Sequence, residues 1–187
     1  ASRSTTFHSE AVTGVIDIDV ALIAAGLKSG VGSGDVAAVS NGTSALIYGN
    51  SAGANRAVDI ERFLMTQPWT GQVRSGSRLG TIWQAPVNGL LMAISMRADD
   101  KPNEYGIRGR SLAAKPQFGK PDRQGFGQHG GLGLYEQMPF LMIDGPGFVA
   151  GAIDNRHASP VDLSSTILAY LGRMASGLDG TALQEKS

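Results

Sequence analysis

Apolar residues recur at every third or fourth position over residues 15–27, at Ile16, Val20, Ile23, Ala24 and Leu27. That spacing predicts a helix, which Gly26 and Lys28-Ser29-Gly30 bring to an end. Residues 35–40 and 43–49 read as two β-prone runs on either side of Asn41-Gly42. Asn-Gly between such runs is a strong short-range hairpin signal. Residues 54–67 form an amphipathic pattern, with Val58, Phe63, Leu64 and Met65 on the apolar stripe and Arg56, Asp59, Glu61 and Arg62 facing water. Pro68-Trp69-Thr70-Gly71 stops that helix. Residues 72–74, 80–84 and 88–97 read as strands, and the longest apolar run, 90–96, predicts the central one. Residues 98–124 are polar and weakly patterned, which predicts a long loop. Residues 139–143 are short, apolar and bounded by turn residues, the pattern of a core strand. A last helix begins after Ser159, with Pro160 at its first position and Asp162 completing a capping-box pattern. Its expected buried face is Leu163, Ile167, Leu168 and Leu171, and Gly172 falls near its end. Helices, hairpin and further strands together predict an α/β class, with a mixed sheet, antiparallel hairpins and flanking helices.

Composition narrows the function. At 187 residues the chain is long enough for one ordinary domain with a sizeable core. The 16 basic and 16 acidic residues cancel, so no net charge draws the chain to nucleic acid or to an anionic membrane. No apolar run has the length of a bilayer span. With no cysteine, disulfides and thiolate chemistry are excluded, and compartment cannot be read from redox habit. The first residues, Ala1-Ser2-Arg3-Ser4, contain neither an initiator Met nor a hydrophobic signal core. A processed start, an artificially chosen start or the C-terminal piece of a longer protein are the readings of that beginning. Asn41-Gly42-Thr43 also fits a glycosylation sequon, but the hairpin turn accounts for it more simply.

The chemistry concentrates around His129. Five glycines fall within residues 125–133, so the backbone there is free of side-chain bulk and can approach a ligand closely. A neutral imidazole is a good zinc ligand. One imidazole does not make a catalytic zinc site, which needs about three protein ligands. His8 and His157 are the other histidines, and both read as loop residues. Ser95 and Thr43 read as strand residues. Asp162 reads first as a helix cap. The arginines of residues 98–124 suit the rim of a site, because guanidinium forks match phosphoryl oxygens. A Ser, His129 and acid triad is a further possibility, but no Gly-x-Ser-x-Gly elbow supports it.

Gly127-Gln128-His129-Gly130-Gly131, then Glu136 and Pro139, then an apolar stretch and Gly145-Pro146-Gly147, resemble the last metal-ligand segment of the alkaline phosphatase superfamily. The nearest branch is that of type I phosphodiesterases and nucleotide pyrophosphatases. The similarity extends through residues 159–172 and ends at Leu178-Asp179-Gly180-Thr181-Ala182-Leu183, about the last third of the chain. The resemblance implies an alkaline-phosphatase-like fold of which residues 1–187 form a single C-terminal domain. It implies hydrolysis of phosphodiesters or pyrophosphates, with a nucleotide or similar phosphate ester as substrate. It implies a two-metal zinc site to which this chain contributes His129, and a Ser or Thr nucleophile that this chain lacks. The missing N-terminal part of the same protein, or self-association, is the implied partner. The alternative is a non-catalytic binding or interaction module derived from that fold.

Overall fold

A computed structural model describes residues 8–9, 12–13, 15–102, 108–119, 129–138, 141–174 and 176–184. In chain order the strands and helices are β1 (His8–Ser9), β2 (Val12–Thr13), β3 (Val15–Ile16), α1 (Ile18–Ala24), β4 (Val36–Asn41), β5 (Ser44–Gly49), α2 (Ser51–Ala54), α3 (Ala57–Thr66) and β6 (Thr70–Ser75). A 3-10 helix (Gly76–Ile82) follows, then β7 (Leu90–Met96), β8 (Ala98–Pro102), β9 (Arg108–Ser111), β10 (Ala113–Ala114), α4 (Leu134–Gln137) and α5 (Pro160–Tyr170). The class is mixed α/β, with antiparallel sheets and a few helices. The chain divides into two compact units, Ala1–Pro139 and Phe140–Ser187.

The first unit is built on a four-stranded sheet in the order β4-β5-β7-β6. Every pairing in it is antiparallel. Among the described residues the one parallel pairing is the two-residue ladder of β10 with β3. The 90–96 run is central, as its unbroken apolar character predicts, because it pairs with β5 on one side and β6 on the other. Met92, Ile94 and Met96 enter the main core, which α1 and α3 complete with Leu22, Ile60 and Leu64. Burying each of these side chains contributes about 2–3 kcal/mol. Leu90 and Ala93 join a smaller cluster with Leu79 of the 3-10 helix.

Several expected boundaries move. The first helix starts only at Ile18, because Asp17 caps it by accepting from the Val20 N–H, and Val15–Ile16 is a strand instead. The helix expected over residues 54–67 is α3, which starts at Ala57, and Ala54 instead ends the short helix α2. The apolar stripe of α3 is Ile60 and Leu64, while Val58 and Met65 are exposed. Residues 80–84 do not form a strand: Leu79 and Ile82 lie three residues apart, and both pack inward from a 3-10 turn. The long loop over 98–124 is partly a ribbon, because β8 and β9 pair antiparallel and Arg110 spans the ribbon to Asp99. Of the core strand expected over 139–143, the described residues 141–143 form no strand, and Leu141 and Met142 are exposed; Pro139 and Phe140 fall outside the described residues.

The second unit is organised by α5. Its N-terminus follows the sequence pattern, since the Ser159 N–H donates to Asp162 Oδ2 at 2.7 Å. The other oxygen of Asp162 accepts from the Thr181 N–H at 2.7 Å, which ties the helix to the closing segment. These two backbone donors hold the Asp162 carboxyl below its ordinary pKa. The expected buried face is wrong. Ser165 and Thr166 are the buried residues, bonded to the Gly180 carbonyl and the Leu183 N–H, while Leu163, Ile167 and Leu171 are exposed.

Candidate functional site

His129 lies at the end of the sheet where the β4–β5 hairpin turns. Asn41 pairs with Ser44, so Gly42 and Thr43 are the turn residues, one position on from the expected Asn41-Gly42. Gly42 has φ +59, the left-handed value that a two-residue turn needs at its first place. The slip puts Thr43 in the second place, where it is fully buried. Its backbone N–H and its hydroxyl both reach the His129 carbonyl, at 3.1 and 3.0 Å. The same hydroxyl bonds Glu136 Oε1. Glu136 Oε2 in turn accepts from the Gly133 N–H at 3.2 Å.

Two further contacts fix the segment. Ser95, on β7, accepts from the Leu132 N–H at 2.8 Å, and Gln137 donates to the Gly131 carbonyl at 2.8 Å. The glycines are required by this closeness. A Cβ on Gly131 would stand 2.4 Å from Glu136 Oε2 and 2.7 Å from Thr43 Oγ1. One on Gly130, whose φ is +101, would stand 2.5 Å from the Asn41 carbonyl oxygen. The backbone of residues 129–133 is therefore clamped onto the sheet end by Thr43, Ser95 and Glu136, while the His129 side chain remains exposed.

The clamp residues escape a sequence reading. Thr43 and Ser95 look like ordinary strand positions, and only the fold brings them to residues 86 and 37 positions away. Glu136 belongs to the quoted motif, and here it acts as the bracket of the loop. His157 is exposed in the second unit. His8 opens β1. Residues 120–128, the first half of the glycine segment, lie outside the described residues. Among the described residues no three of His, Asp or Glu converge as a metal cluster. His129 is thus one donor of the right chemistry, and a complete zinc shell needs further ligands from outside these residues.

Beside the clamp, an ion pair is held on the β8–β9 ribbon. Arg110 donates to both oxygens of Asp99, at 3.0 and 2.6 Å, with about a fifth of each side chain exposed. Burial pushes the Asp99 carboxyl up, but the Arg110 hydrogen bonds and charge outweigh it, and the net shift is downward. The same bonds raise Arg110 further above its usual range. The pair is ionised at all ordinary pH. No family model matches the chain, and neither does any curated protein or solved structure.

Proposed function

We propose that this chain is the C-terminal portion of a metal-dependent phosphodiester or pyrophosphate hydrolase with an alkaline-phosphatase-like fold, in which His129 is one zinc ligand. One observation carries the reading: the imidazole is exposed while its own backbone is clamped at the sheet end. Rigid placement with a free side chain is what a metal ligand requires, since coordination tolerates little positional error. The resemblance of residues 127–147 and 159–183 supplies the reaction class. Zinc would supply Lewis acidity at the phosphoryl group and lower the pKa of a bound hydroxyl. This chain's residues would position one imidazole, keep side chains away from it through Gly130 and Gly131, and leave the nucleophile and remaining ligands to other parts of the polypeptide. A nucleotide or similar phosphate ester is the substrate class.

The test uses the full polypeptide that contains this chain. Bound metal is measured by inductively coupled plasma mass spectrometry, and hydrolysis is followed with bis(p-nitrophenyl) phosphate. Disturbing groups around a metal's ligands typically costs 10–100-fold. His129→Ala, which removes a ligand itself, is expected to cost at least about 100-fold in hydrolysis and to release zinc. A wild-type protein with neither metal nor activity, or a variant equal to wild type in both, would defeat the proposal. A second reading, a non-catalytic binding module on the same fold, draws on the cleft beside Arg110 and Tyr135, which needs no metal to hold a ligand.

A further inference from the structure

The chain contains two Asn-Gly pairs, Asn41-Gly42 and Asn88-Gly89. Such a pair can rearrange without an enzyme, a metal or an oxidant. The glycine nitrogen gives up its proton and attacks the asparagine side-chain carbon Cγ. A C–N bond forms, and the side-chain nitrogen leaves as ammonia. Water then opens the succinimide ring at one of its two carbonyls. Opening at the former side-chain carbonyl gives aspartate. Opening at the main-chain carbonyl gives isoaspartate, with the backbone rerouted through Cγ. Asparagine counts among the thermolabile residues, and a following glycine exposes it most, because no side chain crowds the attacking nitrogen. A fold can oppose the reaction by bonding that N–H, by bonding the side-chain amide, or by anchoring the chain on both sides.

At Asn88 this opposition is slight. Residues 87–90 form a turn closed by one hydrogen bond, from the Leu90 N–H to the Val87 carbonyl at 3.0 Å. Asn88 and Gly89 both have positive φ, +52 and +82, as in the mirror-image turn that Asn-Gly favours. Among the described residues the Gly89 N–H donates to no acceptor, and the Asn88 side-chain amide has no partner. Residues 83–89 are all exposed. The N-terminal arm of the turn can therefore rotate about Asn88 without drawing a side chain out of either core cluster. On the other side the Gly89 carbonyl keeps the Gly49 N–H at 2.9 Å.

Asn41 is the contrasting case. The Gly42 N–H is likewise without an acceptor among the described residues, so that atom does not distinguish the two sites. The surroundings do. Asn41 pairs with Ser44 at the end of the β4–β5 ladder, and its carbonyl accepts from the Ser44 hydroxyl. The Gly42 carbonyl accepts from the Ala114 N–H at 2.8 Å. Thr43, the next residue, is fully buried and bonds the His129 carbonyl through both its N–H and its hydroxyl. Both arms of this turn are strands of the four-stranded sheet. Bringing the Gly42 nitrogen onto Asn41 Cγ has to pull the hairpin tip away from β10 and from the clamped segment, and each bond lost makes that opening rarer.

We propose that Asn88 is a self-modification site, converting to isoaspartate and aspartate in the folded protein, while the clamp preserves Asn41 in the same dipeptide. Isoaspartate lengthens the main chain by one carbon, which the 87–90 turn does not absorb with its closing bond intact. Its free α-carboxylate stands on an exposed turn. That is the group which isoaspartyl carboxyl methyltransferases esterify, so this class of enzyme is the partner that the modified turn fits.

The full polypeptide is aged in mildly alkaline buffer, once folded and once unfolded in urea, and is then digested with trypsin. Cleavage after Lys28, Arg56, Arg78 and Arg97 puts the two asparagines on separate peptides. Tandem mass spectrometry reads amide against acid at each residue. In the folded protein Asn88 is expected to convert at least about tenfold faster than Asn41. In urea the two rates are expected to become nearly equal, because both residues precede glycine. Aged folded protein is also expected to take up methyl groups from S-adenosylmethionine when an isoaspartyl carboxyl methyltransferase is added. Asn88→Gly, which suits the positive φ at that position, is expected to lose most of this uptake. The proposal is overturned if Asn88 keeps its amide in the folded protein while it converts in urea, if Asn41 converts as fast as Asn88 in the folded protein, or if Asn88→Gly takes up as much methyl as wild type.

Discussion

Thr43 occupies the turn of a hairpin, yet its hydroxyl stands between the His129 carbonyl and the Glu136 carboxylate. Replacing it by valine keeps the shape and removes the bond. Thr43→Val is expected to cost about 1–3 kcal/mol, the range for leaving a buried acceptor without its donor. Urea unfolding measures this, and an unchanged midpoint would show that the clamp carries no weight. Asp35 makes a comparable bracket farther along the sheet. It accepts from the Ser29 N–H and hydroxyl and from the Ser33 hydroxyl, and it pairs with Arg56 at 2.5 Å. The serine hydroxyls first, and then Arg56, hold its carboxyl far below the usual carboxylate range. A pKa depressed in the folded state stabilises the protein above the unfolded-state value and is lost as pH falls below it. Stability is therefore expected to hold down to about pH 4 and to decline below that, as Asp35 takes up a proton. Asp35→Asn should be less stable at neutral pH and should show a shallower decline under acid. A variant with the wild-type slope between about pH 4 and 3 would contradict this. Neither bracket is visible in the sequence, because serines, threonines and single acids carry no period. His129 is visible because glycine is informative by its absence of a side chain.

At the scale of elements, what the sequence discloses depends on whether a pattern repeats. The hairpin, the central strand and the capped start of α5 are legible, since each has a turn signal, a long apolar run or a cap pattern. The 3-10 helix is mistaken for a strand because its seven residues have only two inward side chains, Leu79 and Ile82. The β8–β9 ribbon is missed because its residues are charged: Asp99, Asp100, Arg108 and Arg110 neutralise one another across the strands. Glycines distinguish crowded elements from open ones. A Cβ on Gly53, in α2, would stand 2.1 Å from the Asp35 carbonyl oxygen, which accepts the Asn50 N–H. Gly53→Ala is expected to lose about 1–3 kcal/mol by overpacking. Gly80, in the 3-10 helix, has no atom within 4 Å of its would-be Cβ and no positive φ. Gly80→Ala is expected to gain about 0.4–1 kcal/mol by restricting the unfolded chain. Thermal melts of the two variants should move in opposite directions, and a common direction would refute the account of packing around α2.

The whole molecule poses a problem of covering. In the second unit the polar Ser165 and Thr166 of α5 are buried, while Leu163, Ile167 and Tyr170 are 38, 57 and 60% exposed and Met174 just beyond is 86% exposed. Leu163, Ile167 and Tyr170 are separated by four and three residues, the spacing that lines one face of a helix, while Met174 lies past the turn at Gly172, outside α5. Leu141, Met142, Val149 and Ile153 of the same unit are exposed as well. In the first unit, among the described residues, β4 and β6 are the sheet edges, although β10 reaches the hairpin end through the Ala114 N–H and the Gly42 carbonyl. Apolar faces and open edges of this kind promote association. This fits the proposal that the chain works as part of a larger hydrolase, whose remainder would cover the α5 stripe. Residues 1–187 prepared alone are therefore expected to self-associate in a concentration-dependent way, measured by size-exclusion chromatography with light scattering. Leu163→Lys with Ile167→Lys should shift the population towards monomer without altering the far-UV circular dichroism, because both side chains already meet solvent. Helix formation in α5 rests on the Ser159–Asp162 cap and on Ser165 and Thr166, none of which the two lysines touch. A wild-type chain that stays monomeric at every concentration would mean that the stripe needs no cover, and the argument for a missing partner would lose its physical basis.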